Sequence, residues 1–334
     1  MARVAINGFG RIGRCFFRAA RGRREFEIVA LNDLASLENL VYLLKYDTVY
    51  GRAPFSVAAQ NGALIVDGAP ISFTQEKELA KLSWREHAVE VVVESTGAYT
   101  DPAKARGHIE AGAKHVVISA PAKGAGAETI LIGANEEKFG TSDISSNASC
   151  TTAAASPLIG ILDEAIGIER AILNTTHAYT ASQLIVDGPS KKEWKDGRAA
   201  AQNLIPTSTG SAIAVTLAYP SLSGKFDGIA VRVPIATGSL VDVTFVSKRR
   251  TSVEEVNAAL KTAAASDRWR KVFAVTEDPI VSSDVIGEPY GAIADLEMTR
   301  VVDGSLVKVL AWYDNEMGYA HTLVEHVAAV AKHL

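Results

Sequence analysis

Residues 3–14 read RVAINGFGRIGR, and this stretch determines the fold of the N-terminal half. Residues 3–6 form a short apolar run, residues 7–13 contain three glycines, and residues 11–21 carry apolar side chains at helical spacing. This order predicts a strand, a tight turn and a helix. A second apolar run at residues 28–31 ends at Asn32 and Asp33, so the whole segment has the length of a β-α-β unit.

The glycines of this turn follow the pattern G-x-G-x-x-G, which alone is also compatible with an ordinary glycine turn. The preceding strand, the following helix and an acidic residue about 20 positions later favour dinucleotide binding. The helix N-terminus would stabilise a pyrophosphate, and the acid would accept hydrogen bonds from ribose hydroxyls. A carboxylate there favours NAD over NADP. The predicted cofactor contacts in this unit are Gly8, Gly10, Arg11, Ile12, Gly13 and Asp33.

Apolar runs and helical stretches alternate along the rest of the N-terminal half. The runs lie at residues 90–95, 115–119 and 129–132, and the helical stretches include residues 36–46 and 101–112. This alternation predicts an α/β fold with a doubly wound parallel sheet of the Rossmann type. Two runs end in small, hydroxyl-rich turns, which are either plain tight turns or cofactor contacts. Thr96, Gly97 and Ser119 are the candidates in them.

The length, net charge and cysteine content of the chain limit the classes of protein to which it can belong. A chain of 334 residues is expected to form about two domains, and a net charge of -4 does not favour binding to nucleic acid or to an anionic membrane. Only Cys15 and Cys150 occur, so neither a disulfide framework nor a multi-cysteine metal site is predicted. Cys15 is expected to pack on the inner face of the first helix. No targeting segment or run of about 18 apolar residues is found, which predicts a cytoplasmic protein without a metal.

Cys150 lies where a polar turn, residues 145–149, leads into an alanine-rich helical stretch. A helix N-terminus favours the thiolate, which is the reactive form of cysteine. His177 follows a short apolar strand and is the candidate base that would ionise the thiol. Taken separately, the cysteine could be a small buried residue and the histidine a structural one.

Several motifs in a fixed order resemble the glyceraldehyde-3-phosphate dehydrogenase family. The resemblance begins with the glycine turn and extends to the C-terminus. Its landmarks are residues 146–152 (SNASCTT), 177–180 (HAYT), 186–189 (VDGP), 198–203 (RAAAQN), 208–210 (STG), 231–234 (VRVP) and 312–316 (WYDNE).

This resemblance implies a fold of two domains. Residues 1–149 would form the NAD-binding Rossmann domain, completed by a C-terminal helix at residues 318–334. Residues 150–317 would form an α+β catalytic domain with a mixed or antiparallel sheet. Residues 179–203 correspond to the family's S-shaped loop at subunit contacts, which implies a homotetramer.

The resemblance also implies an activity, the NAD-dependent phosphorylating oxidation of glyceraldehyde 3-phosphate. Cys150 would form a hemithioacetal and then a thioester, His177 would act as the base, and inorganic phosphate would release the product. Asn315 and Tyr319 would lie at the nicotinamide. Thr180 and Arg232 would bind the substrate phosphate. Ser149, Thr151, Thr209 and Gly210, with Arg198 as a further contributor, would bind the attacking phosphate.

Two other functions remain open at this stage. Erythrose-4-phosphate dehydrogenase shares the fold and the thiol but hydrolyses its thioester, and a non-catalytic nucleotide-binding or RNA-associating homologue would keep the fold without turnover. The chain also departs from the family at residues 153–155, where three alanines replace a more polar start of the helix. This departure predicts a difference in turnover.

Overall fold

The computed structural model describes residues 1–190 and 193–334. The chain divides into two compact units. The first comprises Met1–Ile130, Glu136–Ala148 and Leu323–Leu334, and the second comprises Leu131–Asn135 and Ser149–Thr322. The family resemblance predicts a boundary between residues 149 and 150 and a completing helix from residue 318. The compact units divide between Ala148 and Ser149, and the C-terminal segment of the first unit begins at Leu323.

The first unit is built on short strands. They are β1 (Ala2–Asn7), β2 (Phe26–Asn32), β3 (Tyr46–Asp47), β4 (Gly51–Arg52), β5 (Val57–Gln60), β6 (Ala63–Val66), β7 (Ala69–Thr74), β8 (Val91–Glu94), β9 (His115–Ile118), β10 (Glu128–Thr129) and β11 (Ile144–Ser146). Of these strands, β1, β8, β9 and β11 are the most buried.

Nine of these strands form one sheet in the order β10-β11-β9-β8-β1-β2-β7-β6-β5. The pairs from β10 to β7 are parallel, and β7, β6 and β5 are antiparallel. The chain passes from β1 to β2 on one side and later returns to β8 on the other side of β1. The topological switch point therefore lies at the carboxyl end of β1, where such sheets bind ligands. This confirms the predicted doubly wound α/β fold.

The helices of the first unit agree with the sequence pattern in most places. They are α1 (Arg11–Ala19), α2 (Leu37–Lys45), α3 (Pro102–Ala105) and α4 (Gly107–Glu110). Cys15 is 1% exposed on α1, as predicted. The single helix predicted at residues 101–112 is wrong in one respect, because two short helical segments meet there at Arg106.

The run at residues 129–132 is also shorter than predicted as a strand. Only β10 pairs, through Glu128 and Thr129. Ile130 and Leu131 are buried beyond its end, so their apolar character reflects core packing and not a longer strand.

The second unit has a mixed sheet covered on one face by helices. Its elements are α5 (Cys150–Ala165), β12 (Ile168–Ala178), β13 (Ile205–Ser208), α6 (Ser211–Thr216), β14 (Phe226–Val233), β15 (Ser239–Ser247), α7 (Val253–Ala264), β16 (Phe273–Thr276), β17 (Ala292–Val302) and β18 (Leu306–Tyr313).

The strand order of this sheet is β13-β14-β12-β15-β18-β17-β16. The pairs β12–β14 and β16–β17 are parallel, and the others are antiparallel. Alternate residues of β15, such as Val241, Val243 and Phe245, point into a core that includes Leu158 and Leu162 of α5. The predicted mixed sheet is therefore present.

A final helix, α8 (Met317–Ala331), ends the chain. Its apolar residues Leu323, Val324, Val327 and Val330 are buried, Ala331 is half-buried, and His326 Nε2 lies 2.8 Å from Oγ of Ser145 on β11. Among the described residues, no helix combines the length and the apolar character needed to cross a membrane.

Candidate active site

The glycine turn between β1 and α1 has the geometry that a dinucleotide requires. Gly8 has a φ of +93°, and a Cβ there would lie 2.6 Å from the backbone nitrogen of Thr96, so a larger residue would clash. A Cβ at Gly13 would collide with the carbonyl oxygen of Gly8. Among the described residues, no side chain caps α1 at Gly10, so an anion can reach the start of this helix.

Asp33 lies on the other side of this turn. Its Oδ2 atom accepts a hydrogen bond from the backbone N–H of Phe9 at 2.6 Å, and its Oδ1 atom accepts one from that of Ala35 at 2.9 Å. The carboxylate borders a cavity of about 340 Å³ that also touches Gly10 and Thr96. A carboxylate in this place accepts from ribose hydroxyls and repels a 2′-phosphate. The residues present therefore fit NAD.

The other predicted cofactor residues of the first unit do not border this cavity. Arg11 forms an ion pair with Asp47 at 2.5 Å, and Ile12 is half-buried beside it on α1. Gly97 has a φ of +72°, and the backbone N–H of Ser119 donates to the carbonyl oxygen of Glu94 at 2.9 Å. Ser119 therefore follows the end of β9, which pairs with β8 in the same sheet.

Cys150 is the first residue of α5, and the turn before it is held in an unusual conformation. Ala148 has a φ of +52°, a region that costs a residue with a Cβ some free energy. Ser146 Oγ accepts from the backbone N–H of Ala148 at 3.0 Å, and Ser149 caps the helix by accepting from Thr152 N–H at 3.2 Å. These bonds fix the position of the Cys150 side chain at the helix N-terminus.

His177 lies within reach of this thiol. It is the penultimate residue of β12, and its Nε2 atom is 3.3 Å from Sγ of Cys150. The predicted pairing of the two residues is thus present as a contact. A thiol and an imidazole at this distance can exchange a proton directly.

Arg232 is brought to the same histidine by the pairing of two strands. His177 on β12 lies opposite Arg232 on β14, so their side chains share one face of the sheet. Arg232 Nη1 is 2.6 Å from Nδ1 of His177 and 3.1 Å from the carbonyl oxygen of Ala178. The same Nδ1 atom is 2.6 Å from that carbonyl oxygen.

These contacts constrain the proton on His177. A guanidinium only donates, so when Nδ1 accepts from Arg232 the ring proton is on Nε2 and points to the sulfur of Cys150. When Nδ1 instead donates to the carbonyl oxygen of Ala178, Nε2 is unprotonated and can accept the thiol proton. The two arrangements exclude each other because Nδ1 carries either a proton, and then donates, or a lone pair, and then accepts.

Burial and charge shift the titration of both groups. Burial, together with the positive charge of Arg232, lowers the pKa of His177 to about 3. Burial raises the pKa of the Cys150 thiol, and Arg232 and hydrogen bonds from Thr151 act in the opposite direction. The helix N-terminus predicted from sequence to favour the thiolate therefore acts against a desolvation effect that the sequence did not indicate.

Tyr313 supports this pair and was not identified from sequence. Its hydroxyl group bonds to Thr151 Oγ1 at 2.9 Å and to Thr175 Oγ1 at 2.8 Å, and its ring lies edge-on to His177 with centroids 5.9 Å apart. The side chain therefore links the start of α5 to β12. The sequence signal that could have identified Tyr313 is its position in the motif at residues 312–316.

A cluster of hydroxyl groups lies next to the start of α5. Ser149 Oγ is 3.1 Å from Ser211 Oγ, and Thr209 Oγ1 is 2.9 Å from the same Ser211 atom. Gly210 precedes α6 with open space around its α-carbon on the described chain. The sequence analysis did not identify Ser211. The signal that could have identified it is the hydroxyl-rich run at residues 207–211. Hydroxyls of this kind suit phosphate oxygens.

The other residues predicted to bind phosphate, Thr180, Thr151 and Arg198, have hydrogen-bond or ion-pair partners outside this hydroxyl cluster. Thr180 Oγ1 bonds to Ser182 and Gln183 in the segment after β12. Thr151 is buried and turned to Tyr313. Arg198 pairs with Asp187 at 3.0 Å, and both side chains are 61% exposed.

The two residues predicted for the nicotinamide lie near the start of α8. Asn315 Oδ1 accepts from Ser239 Oγ at 2.9 Å and from Thr237 Oγ1 at 3.2 Å, which leaves the amide NH₂ group as the donor end. Tyr319 is 3% exposed in the first turns of α8.

Comparisons with known proteins agree with this geometry. Residues 2–102 match the family description "Glyceraldehyde 3-phosphate dehydrogenase, NAD binding domain", and residues 149–315 match "Glyceraldehyde 3-phosphate dehydrogenase, C-terminal domain". A "Glyceraldehyde-3-phosphate dehydrogenase" of Mycobacterium avium is 47% identical, with 99% of each chain covered. "Glyceraldehyde-3-phosphate dehydrogenase 1" of Bacillus subtilis is 46% identical over 99% of this chain and 98% of the relative. A Streptomyces coelicolor protein of the same name is 45% identical over 99% of each chain.

Proposed function

The chain belongs to the glyceraldehyde-3-phosphate dehydrogenase family, and on this premise we propose that it oxidises D-glyceraldehyde 3-phosphate to 1,3-bisphosphoglycerate with NAD and inorganic phosphate. It is an oxidoreductase, and its cofactor is NAD. The observation that carries the proposed chemistry is the 3.3 Å contact between Cys150 Sγ and His177 Nε2 at the start of α5.

The first step forms a bond between the sulfur of Cys150 and the aldehyde carbon. His177 Nε2 accepts the thiol proton and then donates to the oxygen of the resulting hemithioacetal. NAD, when bound, supplies the acceptor for the hydride that leaves this carbon. His177 takes the hydroxyl proton as the carbon becomes the carbonyl of a thioester on Cys150.

The second step releases the product. An oxygen of inorganic phosphate attacks the thioester carbon, the carbon–sulfur bond breaks, and Cys150 recovers a proton through His177. Ser149, Thr209 and Gly210 are proposed to hold this phosphate, because the first two belong to the hydroxyl cluster at α5. Thr151 and Arg198 are proposed to contribute less to this phosphate site. The Thr151 hydroxyl is hydrogen-bonded to Tyr313, and the Arg198 side chain is exposed and paired with Asp187.

The phosphate of the substrate is assigned to Arg232 and Thr180. A phosphate that binds the Arg232 guanidinium competes with Nδ1 of His177 for the same donor. Loss of that bond allows Nδ1 to donate to the carbonyl oxygen of Ala178 and leaves Nε2 able to accept the thiol proton. Substrate binding would thereby favour the form of His177 that acts as a base.

The proposed assembly is a homotetramer in the cytoplasm. The segment at residues 179–203, of which residues 191 and 192 lie outside the described part, carries strongly exposed apolar side chains: Ile185 is 84% exposed and Trp194 is 91% exposed. Ile172 and Ile229 are exposed on neighbouring strands of the second sheet. Surfaces of this kind favour burial against another copy. Sedimentation velocity on the purified chain tests the tetramer, and a monomer at micromolar concentration would contradict it.

The activity is tested by an assay with glyceraldehyde 3-phosphate, NAD and phosphate in which each component is omitted in turn. NADH should form only when all three are present. Erythrose 4-phosphate is the second substrate, and faster oxidation of it without phosphate would support the erythrose-4-phosphate dehydrogenase alternative, which the family does not favour. A purified protein that binds NAD but oxidises neither aldehyde would support the non-catalytic alternative.

A further inference from the structure

A buried carboxylate lies below the cofactor cavity of the first unit. Glu94 is the last residue of β8 and is 2% exposed. Its side chain does not line the cavity, whose border includes the adjacent Ser95 and Thr96. Burial of a carboxylate is unfavourable unless its oxygens are hydrogen-bonded.

Both carboxylate oxygens of Glu94 accept hydrogen bonds. Oε1 accepts from the backbone N–H of Thr96 at 2.8 Å and also from the Thr96 hydroxyl. Oε2 accepts from Asn7 Nδ2 at 2.6 Å and from His108 Nε2 at 3.0 Å. The four donors come from the β1 end, the loop after β8 and α4, so Glu94 connects three segments.

Trp84 determines which nitrogen of His108 carries the proton. The indole Nε1–H only donates, and it lies 3.0 Å from His108 Nδ1, so that atom is the acceptor. The ring proton is therefore on Nε2, where it points to Glu94. His108 is completely buried, and this arrangement gives both ring nitrogens a partner.

Two of the segments that Glu94 connects, the end of β1 and the loop after β8, contribute to the wall of the cofactor cavity. Gly8 packs so closely on Thr96 that a Cβ would be 2.6 Å from the Thr96 nitrogen, the same N–H that donates to Glu94. Ser95 Oγ donates to the carbonyl oxygen of Gly8 at 2.7 Å. Asn7 Oδ1 accepts from Asn32 Nδ2 at 2.7 Å, which extends the network to the residue before Asp33.

We propose that Glu94, oriented by the Trp84–His108 pair, is a positioning residue for NAD binding that holds Thr96 and the glycine turn in their binding geometry. Burying a carboxylate is costly, and two of the four donors that satisfy this one belong to Thr96, which borders the cavity, so the arrangement indicates a role in that cavity. The inference rests on the proposed NAD-dependent function.

The decisive variant is Glu94→Gln, which keeps the size of the side chain. Its NH₂ group would replace an oxygen that accepts two hydrogen bonds, so two donors would face another donor. We expect the dissociation constant for NAD, measured by calorimetric titration, to rise by roughly tenfold or more. The KM for NAD should rise in parallel, whereas kcat at saturating NAD should change by less than about threefold because Cys150 and His177 are untouched.

Ser145→Ala is the matched control in the same unit. Ser145 is also buried, and its hydroxyl lies 2.8 Å from both His115 Nε2 and His326 Nε2, away from the cavity. It should lower the melting temperature without changing the dissociation constant for NAD. A folded Glu94→Gln protein that binds NAD as tightly as the unmodified chain would overturn the inference, whatever its melting temperature.

A second variant covers the case in which Glu94→Gln does not fold. Trp84→Phe removes the N–H that orients His108 and keeps most of the buried ring. It should weaken NAD binding by a smaller factor, and unchanged binding would count against the positioning role. An unmodified protein that binds no NAD would instead contradict the cofactor assignment itself.

Discussion

The sulfur of Cys150 lies 3.3 Å from Nε2 of His177, although the two residues belong to different elements of the second unit. The cysteine begins α5, and the histidine lies at the end of β12. Because α5 is capped by Ser149 and β12 is paired on both sides, neither side chain needs a large movement to meet the other. The contact is the basis of the first two predictions.

Cys150→Ala should abolish the dehydrogenase activity. The sulfur is the only protein atom proposed to form a covalent bond with the substrate, so kcat should fall by at least about 10⁴-fold. Cys15→Ala is the control, because Cys15 is buried on α1 in the first unit and should affect stability alone. Initial rates of NADH formation measure the effect. Substantial turnover by the Cys150 variant would remove the thiol from the mechanism.

His177→Asn should reduce kcat and leave NAD binding intact. Loss of a general base typically costs about 10²–10⁴-fold in rate. The dissociation constant for NAD should stay within about twofold because the variant leaves the residues proposed to bind NAD unchanged, both Asp33 at its cavity and Asn315 near α8. Steady-state kinetics and calorimetric titration separate the two effects. A variant with normal kcat would show that another group accepts the proton.

Arg232→Gln should move the titration of the Cys150 thiol to higher pH. The Arg232 charge lowers the pKa of this thiol against the effect of burial, so its removal leaves desolvation less opposed. The rate of alkylation by iodoacetamide, followed against pH, should therefore reach its midpoint at higher pH than in the unmodified protein. The KM for glyceraldehyde 3-phosphate should also rise, because a proposed phosphate contact is lost.

Arg170→Gln is the matched control for this variant. Arg170 lies on the same strand β12, with a side chain that is 64% exposed and paired with Glu169. Its removal should leave both the alkylation profile and the KM unchanged. If Arg170→Gln and Arg232→Gln gave the same shift, the effect would reflect the net charge of the protein and not the charge of Arg232 near the Cys150 thiol.

Much of the nucleotide-binding unit is predictable because its signals are local. The glycine turn, the helical spacing after it and Asp33 lie within residues 3–33, and they correctly indicate β1, α1 and β2. The hairpin strands β5 to β7 and the short β11 were not predicted. β5 and β7 are largely exposed or half-buried, so they lack the continuous apolar runs that mark the buried β8 and β9.

The site in the second unit depends more on contacts between distant residues. His177 and Arg232 are 55 positions apart, and they meet only because β12 and β14 pair in parallel with that register. The burial that shifts the pKa of both Cys150 and His177 is likewise a property of the packed unit. The sequence therefore indicates the residue types, while the tertiary packing determines their protonation.

Asp33→Asn should weaken the discrimination against NADP. The amide keeps an oxygen that can accept from the backbone N–H of Phe9 in the glycine turn, while its NH₂ group gives up only the bond from the backbone N–H of Ala35, which lies outside that turn. Without the negative charge, a 2′-phosphate is no longer repelled, and the ratio of kcat/KM for NADP to that for NAD should rise by roughly tenfold. Kinetics with both cofactors at fixed aldehyde concentration measure this ratio. An unchanged ratio would place the source of discrimination elsewhere in the cavity.

Two buried histidines of the first unit should make the fold sensitive to acid. Burial lowers the pKa of His115 to about 4 and that of His326 to about 3, from an ordinary value of 6.5. The unfolded chain therefore binds protons first as the pH falls, so stability is complete above about pH 7 and is lost progressively below 6.5. Each histidine should cost about 2 kcal/mol of unfolding free energy between pH 7 and pH 5.

His115→Gln should reduce this loss between pH 7 and pH 5 by about 2 kcal/mol, because the variant has one fewer buried group to protonate. Ser145→Ala removes the hydroxyl between the two rings and keeps both histidines, so it should lower stability at both pH values and preserve the difference between them. Urea unfolding at pH 7 and pH 5 measures all three proteins. An equal loss in the unmodified chain and in His115→Gln would mean that protonation of His115 does not contribute to the acid sensitivity.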